Sequence, residues 1–161
     1  TDFPEGGGII LNSTDGTANA GDDLLLEAGD GLGTPNITDV RFITSAPAGG
    51  SSKTVTVEVT WDEGITVAGS PQVTVANNNA GSGSGRACVL TYTAVGSSAN
   101  RKRFTATNIT VAEDDVLSVG AATGSLGLNS GTLSDTEMGG TAVPAFLSLT
   151  DTSAVTQTVT G

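Results

Sequence analysis

The chain has 161 residues, which suits one domain or one domain plus an arm. Its 6 basic residues against 17 acidic ones give a net charge of −11, which opposes nonspecific attraction to nucleic acid or anionic lipid. With no histidine and one cysteine, it lacks the usual general base, the commonest neutral metal ligand, any intrachain disulfide and any thiolate zinc site.

Residues 1–30 carry seven acids and no base, and Pro4 with three glycines keeps the lead-in irregular. Two short apolar runs follow, Ile9-Ile10-Leu11 and Leu24-Leu25-Leu26, separated by Asn, Asp and Gly. They predict a β-ribbon with too little core to fold alone. These six aliphatics are therefore expected to be assembly contacts, and residues 1–36, ending in a linker with Pro35, form an acidic arm. Because the first residue is Thr1 rather than Met, a preceding piece is expected.

Ile37–Ser45 predicts the first strand of the main body, with Val40 and Phe42 facing inward. In the next strand Val55, Val57, Val59 and Trp61 alternate with Thr54, Thr56, Glu58 and Thr60, giving one apolar and one wet face. After a turn at Asp62-Glu63-Gly64 come two short strands, then a Gly/Ser loop. The following strand places Cys88, Leu90 and Tyr92 on one face, with Cys88 a small buried hydrophobe rather than a reactive thiol. Arg101-Lys102-Arg103, the one basic cluster, reads as a solvated hairpin end before the Phe104 strand.

A bend at Glu113-Asp114-Asp115 precedes a strand at Val116–Val119, and Leu126 and Leu128 punctuate a Gly/Ser-rich stretch. Residues 134–144 read as a turn and Val143–Leu149 as another strand. The tail, residues 151–161, is a last edge strand or an arm. No helical apolar period is present, and no apolar run approaches the ~20 residues a membrane-spanning helix needs. Short strands punctuated by Gly and Pro give an all-β expectation: an antiparallel β-sandwich over residues 37–150, preceded by the N-terminal ribbon.

The run VTVEVTWDEGITVAGSPQVTVA, with ACVLTYTAVGSS, RFTATNITVAEDDVLSVGA and LNSGTLSDTEMGG, resembles a bacterial Ig-like repeat. Repeats of this type occur in large surface adhesins and in tailed-phage virion proteins. Trp61-Asp62-Glu63, Val67-Ala68-Gly69-Ser70-Pro71, Phe104, Glu113-Asp114-Asp115 and Gly131-Thr132-Leu133-Ser134-Asp135 stand at the motif positions. Met138-Gly139-Gly140 departs from the family's closing Asn, and Asn77–Arg86 is longer than the pattern. The first 36 residues lie outside the repeat and look like an acidic segment of marine tailed-phage structural proteins.

The paired acids Asp62-Glu63 and Asp114-Asp115 would serve a glycosidase only across an aromatic-lined cleft, and six aromatics leave little to line one. Enzyme activity is not expected. Glu63, Glu113, Asp114, Asp115 and Asp135 fall in turns at strand ends, where carboxylates can hold calcium or simply be solvated. No other cofactor is expected.

The resemblance implies a non-enzymatic structural protein of a tailed-phage virion, as capsid decoration or as a fibre or appendage subunit. It would assemble through the arm and edge strands with copies of itself and other virion proteins, with no nucleic-acid or membrane partner. The alternative is a bacterial cell-surface adhesin module, stiffened by calcium.

Overall fold

The structure is a computed structural model that describes residues 8–10, 24–27, 34–43, 49–81, 87–120, 126–135, 145, 147, 149 and 155–160. Among them there are strands and turns and no α-helix. The strands are β1 Gly8–Ile10, β2 Leu24–Glu27, β3 Ile37–Phe42, β4 Gly50–Trp61, β5 Ile65–Ala68 and β6 Gln72–Asn77. After them come β7 Cys88–Thr93, β8 Arg101–Val111, β9 Val116–Val119, β10 Leu126–Gly127, β11 Thr132–Asp135 and β12 Val155–Thr158.

All pairings are antiparallel. The main sheet runs β12-β9-β6-β7-β8-β4-β3, with β10 beside β6 on the edge it shares with β9. Strands β6, β7 and β8 follow one another as neighbours, and β9 returns to lie beside β6. That spatial order, fourth-first-second-third, is a Greek key. Strands β5 and β11 form a separate pair, as do β1 and β2.

The period-2 pattern puts the core where the sequence expects it. Val55, Val57, Val59 and Trp61 of β4 are buried, with Leu90 of β7, Val73 and Val75 of β6, and Leu117 and Val119 of β9. Trp61 is 1% exposed and Phe104 is fully buried, and Tyr92 meets Phe104 edge-on with ring centroids 6.2 Å apart at 67°. Each large apolar side chain so buried contributes about 1.5–3 kcal/mol, which makes this strand set the stabilising centre of the chain.

Two bulges keep β4 and β8 in phase. The register slips between Gly50 and Lys53 on β4, where Ser52 has φ 59°, and between Lys53 and Val55, opposite Asn108 with φ 58°. One extra residue on each strand bends the pair and restores pairing beyond it. It also shifts the inward positions on β8 from Lys102, Phe104 and Ala106 to Ile109 and Val111.

The C-terminal residues are stitched into three elements. Beyond the β9–β12 ladder, Val159 N donates to the Asp115 carbonyl, Asp114 N to the Val159 carbonyl, and Gly49 N to the Thr160 carbonyl. Val155–Thr158 is thus an edge strand of the main sheet.

Three sequence expectations change. Ser134 and Asp135 close strand β11, Thr132–Asp135, which pairs with β5, rather than opening a turn. Ala145, Leu147 and Leu149, the described residues of the strand expected at 143–149, lie outside any strand; Ala145 N donates to the Leu133 carbonyl, and Leu149 is buried. Arg101-Lys102-Arg103 is the start of β8 rather than a solvated hairpin end: alternation turns Lys102 inward, 7% exposed, while its neighbours point the other way.

Candidate functional site

The face of the sheet opposite the core is where the polar side chains organise. Register places them in three cross-strand rows: Asp39–Thr60–Arg101, then Arg41–Glu58–Arg103–Thr93, then Thr56–Thr105–Thr91–Gln72. Directly opposed residues in an antiparallel sheet have Cβ atoms ~5 Å apart, so each row is a line of touching groups. The Thr56 and Thr105 hydroxyls lie 2.9 Å apart, and Gln72 Nε2 donates to Thr91 Oγ1 at 3.4 Å.

Glu58 is the centre of this face, and its side chain is fully covered. Arg41 donates to its Oε1 through Nη2 at 2.6 Å and Nε at 3.1 Å, and Arg103 donates to Oε2 through Nε at 2.9 Å. Arg101 Nη1 stands 3.8 Å from Oε1 and its Nε donates to Ser98 Oγ. Burial pushes the Glu58 carboxyl up, but hydrogen bonds from Arg103 and Arg41, and then their charges, outweigh it and hold it below its ordinary value. The same bonds raise Arg41. Cover comes from a single layer of guanidinium groups, themselves 51%, 30% and 45% exposed at Arg41, Arg103 and Arg101, so solvent still reaches the cluster.

Beside the cluster lies an open depression of about 380 Å³ lined by Ile43, Thr56, Thr93, Val95, Arg103 and Thr105. Val95 is 81% exposed, the most exposed large apolar side chain among the described residues. The chain matches no protein-family model, no curated protein and no solved structure. What the face can do is read from its own chemistry. It offers guanidinium donors, hydroxyls and two aliphatic side chains on a broad sheet, a set suited to packing against another protein surface.

The acids expected at strand ends divide into two groups. Glu63 lies two residues past the end of β4, and Asp135 pairs with Ile65 two residues further on. Glu113, Asp114 and Asp115 lie beyond Val111, which pairs with Gly50 at the other end of β4. Twelve residues of strand, roughly 35–40 Å, separate the groups, so the five do not form one site. Among the described residues no three carboxylates, thiols or imidazoles group closely enough to hold a metal.

Asp115 is fully buried and ties loops together. Oδ2 accepts from Ala112 N at 2.9 Å and Asn77 Nδ2 at 2.9 Å, and Oδ1 accepts from Gly81 N at 3.1 Å. Glu113 and Asp114 are exposed on the same turn. Cys88 is buried on the core face of β7, and that burial pushes its thiol up to about 11, well away from reactive thiolate behaviour.

Of the expected assembly residues, Ile9 and Ile10 lie on β1 and Leu24, Leu25 and Leu26 on β2. The two strands pair antiparallel, with Ile9 opposite Leu26 and Ile10 opposite Leu24. Leu11 lies outside the described residues. Sequence reading missed the Glu58 cluster because Arg41 and Arg103 are 17 and 45 residues from Glu58 along the chain. The available signal was that all three occupy polar positions of alternating strands.

Proposed function

We propose that this chain is a non-enzymatic structural protein of a tailed-phage virion, a capsid decoration or a fibre or appendage subunit. It is built on an Ig-like sandwich and assembles through its N-terminal arm and sheet surfaces. The strand order β3-β4-β8-β7-β6-β9-β12 supports the Ig-like reading: taken as A-B-E-D-C-F-G, it contains the A-B-E-D and C-F-G groupings of that fold. The resemblance of residues 37–150 to the Ig-like repeat, and of the acidic front segment to phage structural proteins, supports the virion.

The observation that carries an assembly role is the row-patterned face across β3, β4, β8 and β7, together with a strand pair, β1–β2, that stays outside the main sheet. Six aliphatics at about 1.5–3 kcal/mol each do not match the ~1–2 kcal/mol per residue needed to order thirty residues, so the arm gains its order from a neighbour.

The test is deletion of residues 1–30, followed by sizing and by binding to virions or to the oligomer. Loss of assembly with the remaining body folded is expected. Undiminished assembly would refute the proposal.

A further inference from the structure

We propose that the arginine face receives the acidic N-terminal segment of a second copy of this chain. The inference rests on the arm-mediated assembly just described and names the surface that the arm meets.

Charge carries the argument. The chain has six bases, and three of them, Arg41, Arg101 and Arg103, stand around one carboxylate on one face. Of the other three, Lys102 points into the core and donates its ammonium to the Ser98 carbonyl at 2.7 Å, which leaves Lys53 and Arg86. Counting Glu58 and Asp39 against the three arginines, the face keeps an excess of one positive charge in a chain of −11. An acidic segment with seven carboxylates and no base is repelled by most of the rest of the molecule and attracted here.

Glu58 makes the attraction directional. It takes Arg103 through Nε, and Nη1 of Arg103 packs over Gly96, so among the described residues Nη2 is the Arg103 nitrogen that remains for a second acceptor. Arg41 is likewise gripped on its Nε–Nη2 side, leaving Nη1. A buried carboxylate that fixes guanidinium groups from behind presents them forward without the entropy of ordering loose side chains. The neighbouring depression, with Ile43 and the exposed Val95, gives aliphatic side chains of such a segment an apolar contact beside the charges.

The arm of a second copy is preferred to an unrelated anion for one reason. A peptide bearing both carboxylates and aliphatics satisfies both halves of the surface, and residues 1–30 contain both.

The experiment uses full-length chains in sedimentation velocity. Arg101→Glu reverses the charge least involved with Glu58; Asp22→Arg with Asp23→Arg reverses part of the arm. Either set alone is expected to weaken self-association at least tenfold, and mixing the two reversed chains should recover most of it. Association should also fall in about 1 M salt, where charges are screened beyond ~3 Å. Circular dichroism and a thermal melt confirm folding, and Arg101→Gln serves in place of Arg101→Glu if the reversal unfolds the chain.

Recovery only when both changes share one chain would mean the arm folds back on its own face, and overturns the proposal. So does a wild-type chain that stays monomeric. If deletion of residues 1–30 abolishes assembly while Arg101 reversal changes nothing, the arm docks elsewhere. The assembly reading would then stand and this one would fall.

Discussion

Glu58 and Lys102 are two buried charges that the fold treats in opposite ways. Glu58 is held ionised by arginines, so its folded-state carboxyl lies below the unfolded value of about 4.3. Its stabilisation is complete above that value and lost as pH falls through the folded one. Glu58→Gln should therefore cost about 1–2 kcal/mol near neutrality, discounted because solvent reaches the arginines, and the difference should vanish in acid. Urea melts of both chains from about pH 7 to about pH 2 check it. Lys102 is instead pushed down by burial, so its charge opposes folding below its folded pKa. Stability from this group rises with pH until the unfolded lysine value, ~10.4, is passed. Lys102→Met should be the more stable protein at neutral pH, with the gap narrowing as pH climbs. A constant gap across that range would show that packing, not charge, sets the difference.

Elements follow the sequence wherever alternation is unbroken. Val55 to Trp61, Cys88 to Leu90 and Val116 to Val119 could be phased by eye, because a period of two assigns each side chain to core or surface. The phase of β8 could not, since the Asn108 bulge moves the inward set by one residue and no local signal marks it. Nor was the Glu58 cluster legible, because its contacts depend on the register of β4 with both β3 and the distant β8. Asn tolerates the left-handed conformation better than most residues, and a β-branched side chain does not. Asn108→Val should accordingly lose about 1–2 kcal/mol, while Asn108→Gly should lie within about 0.5 kcal/mol of wild type. Denaturant midpoints of the two variants decide it. The Asp115 knot is as exacting: a Cβ at Gly81 would overlap the Glu113 carbonyl, so Gly81→Ala should break the loop contact and lower the melting temperature.

For the whole molecule, the two ends of the chain stand in different relations to the core. The last strand belongs to the main sheet: β12 pairs along β9, Val159 is 1% exposed, and the residues around it bond to the β8–β9 turn and to Gly49. The first two strands pair only with each other among the described strands. Length alone does not predict which end matters, since removing residues 1–30 deletes far more chain than removing residues 155–161. Burial does. Truncation before Val155 withdraws the Val159 side chain, about 1.5–3 kcal/mol by itself, and leaves β9 with an unpaired edge over Val116–Val119. It should lower stability by at least about 2 kcal/mol and make the protein prone to aggregate. Deletion of residues 1–30 should leave the unfolding free energy of the isolated body within about 0.5 kcal/mol of the full chain, the scale of changes remote from the core. Equilibrium unfolding of both truncations, at concentrations low enough to suppress assembly, separates the cases. A large loss on deleting the N-terminal segment would mean that it packs on its own core, and the division of the chain into body and arm would have to be abandoned.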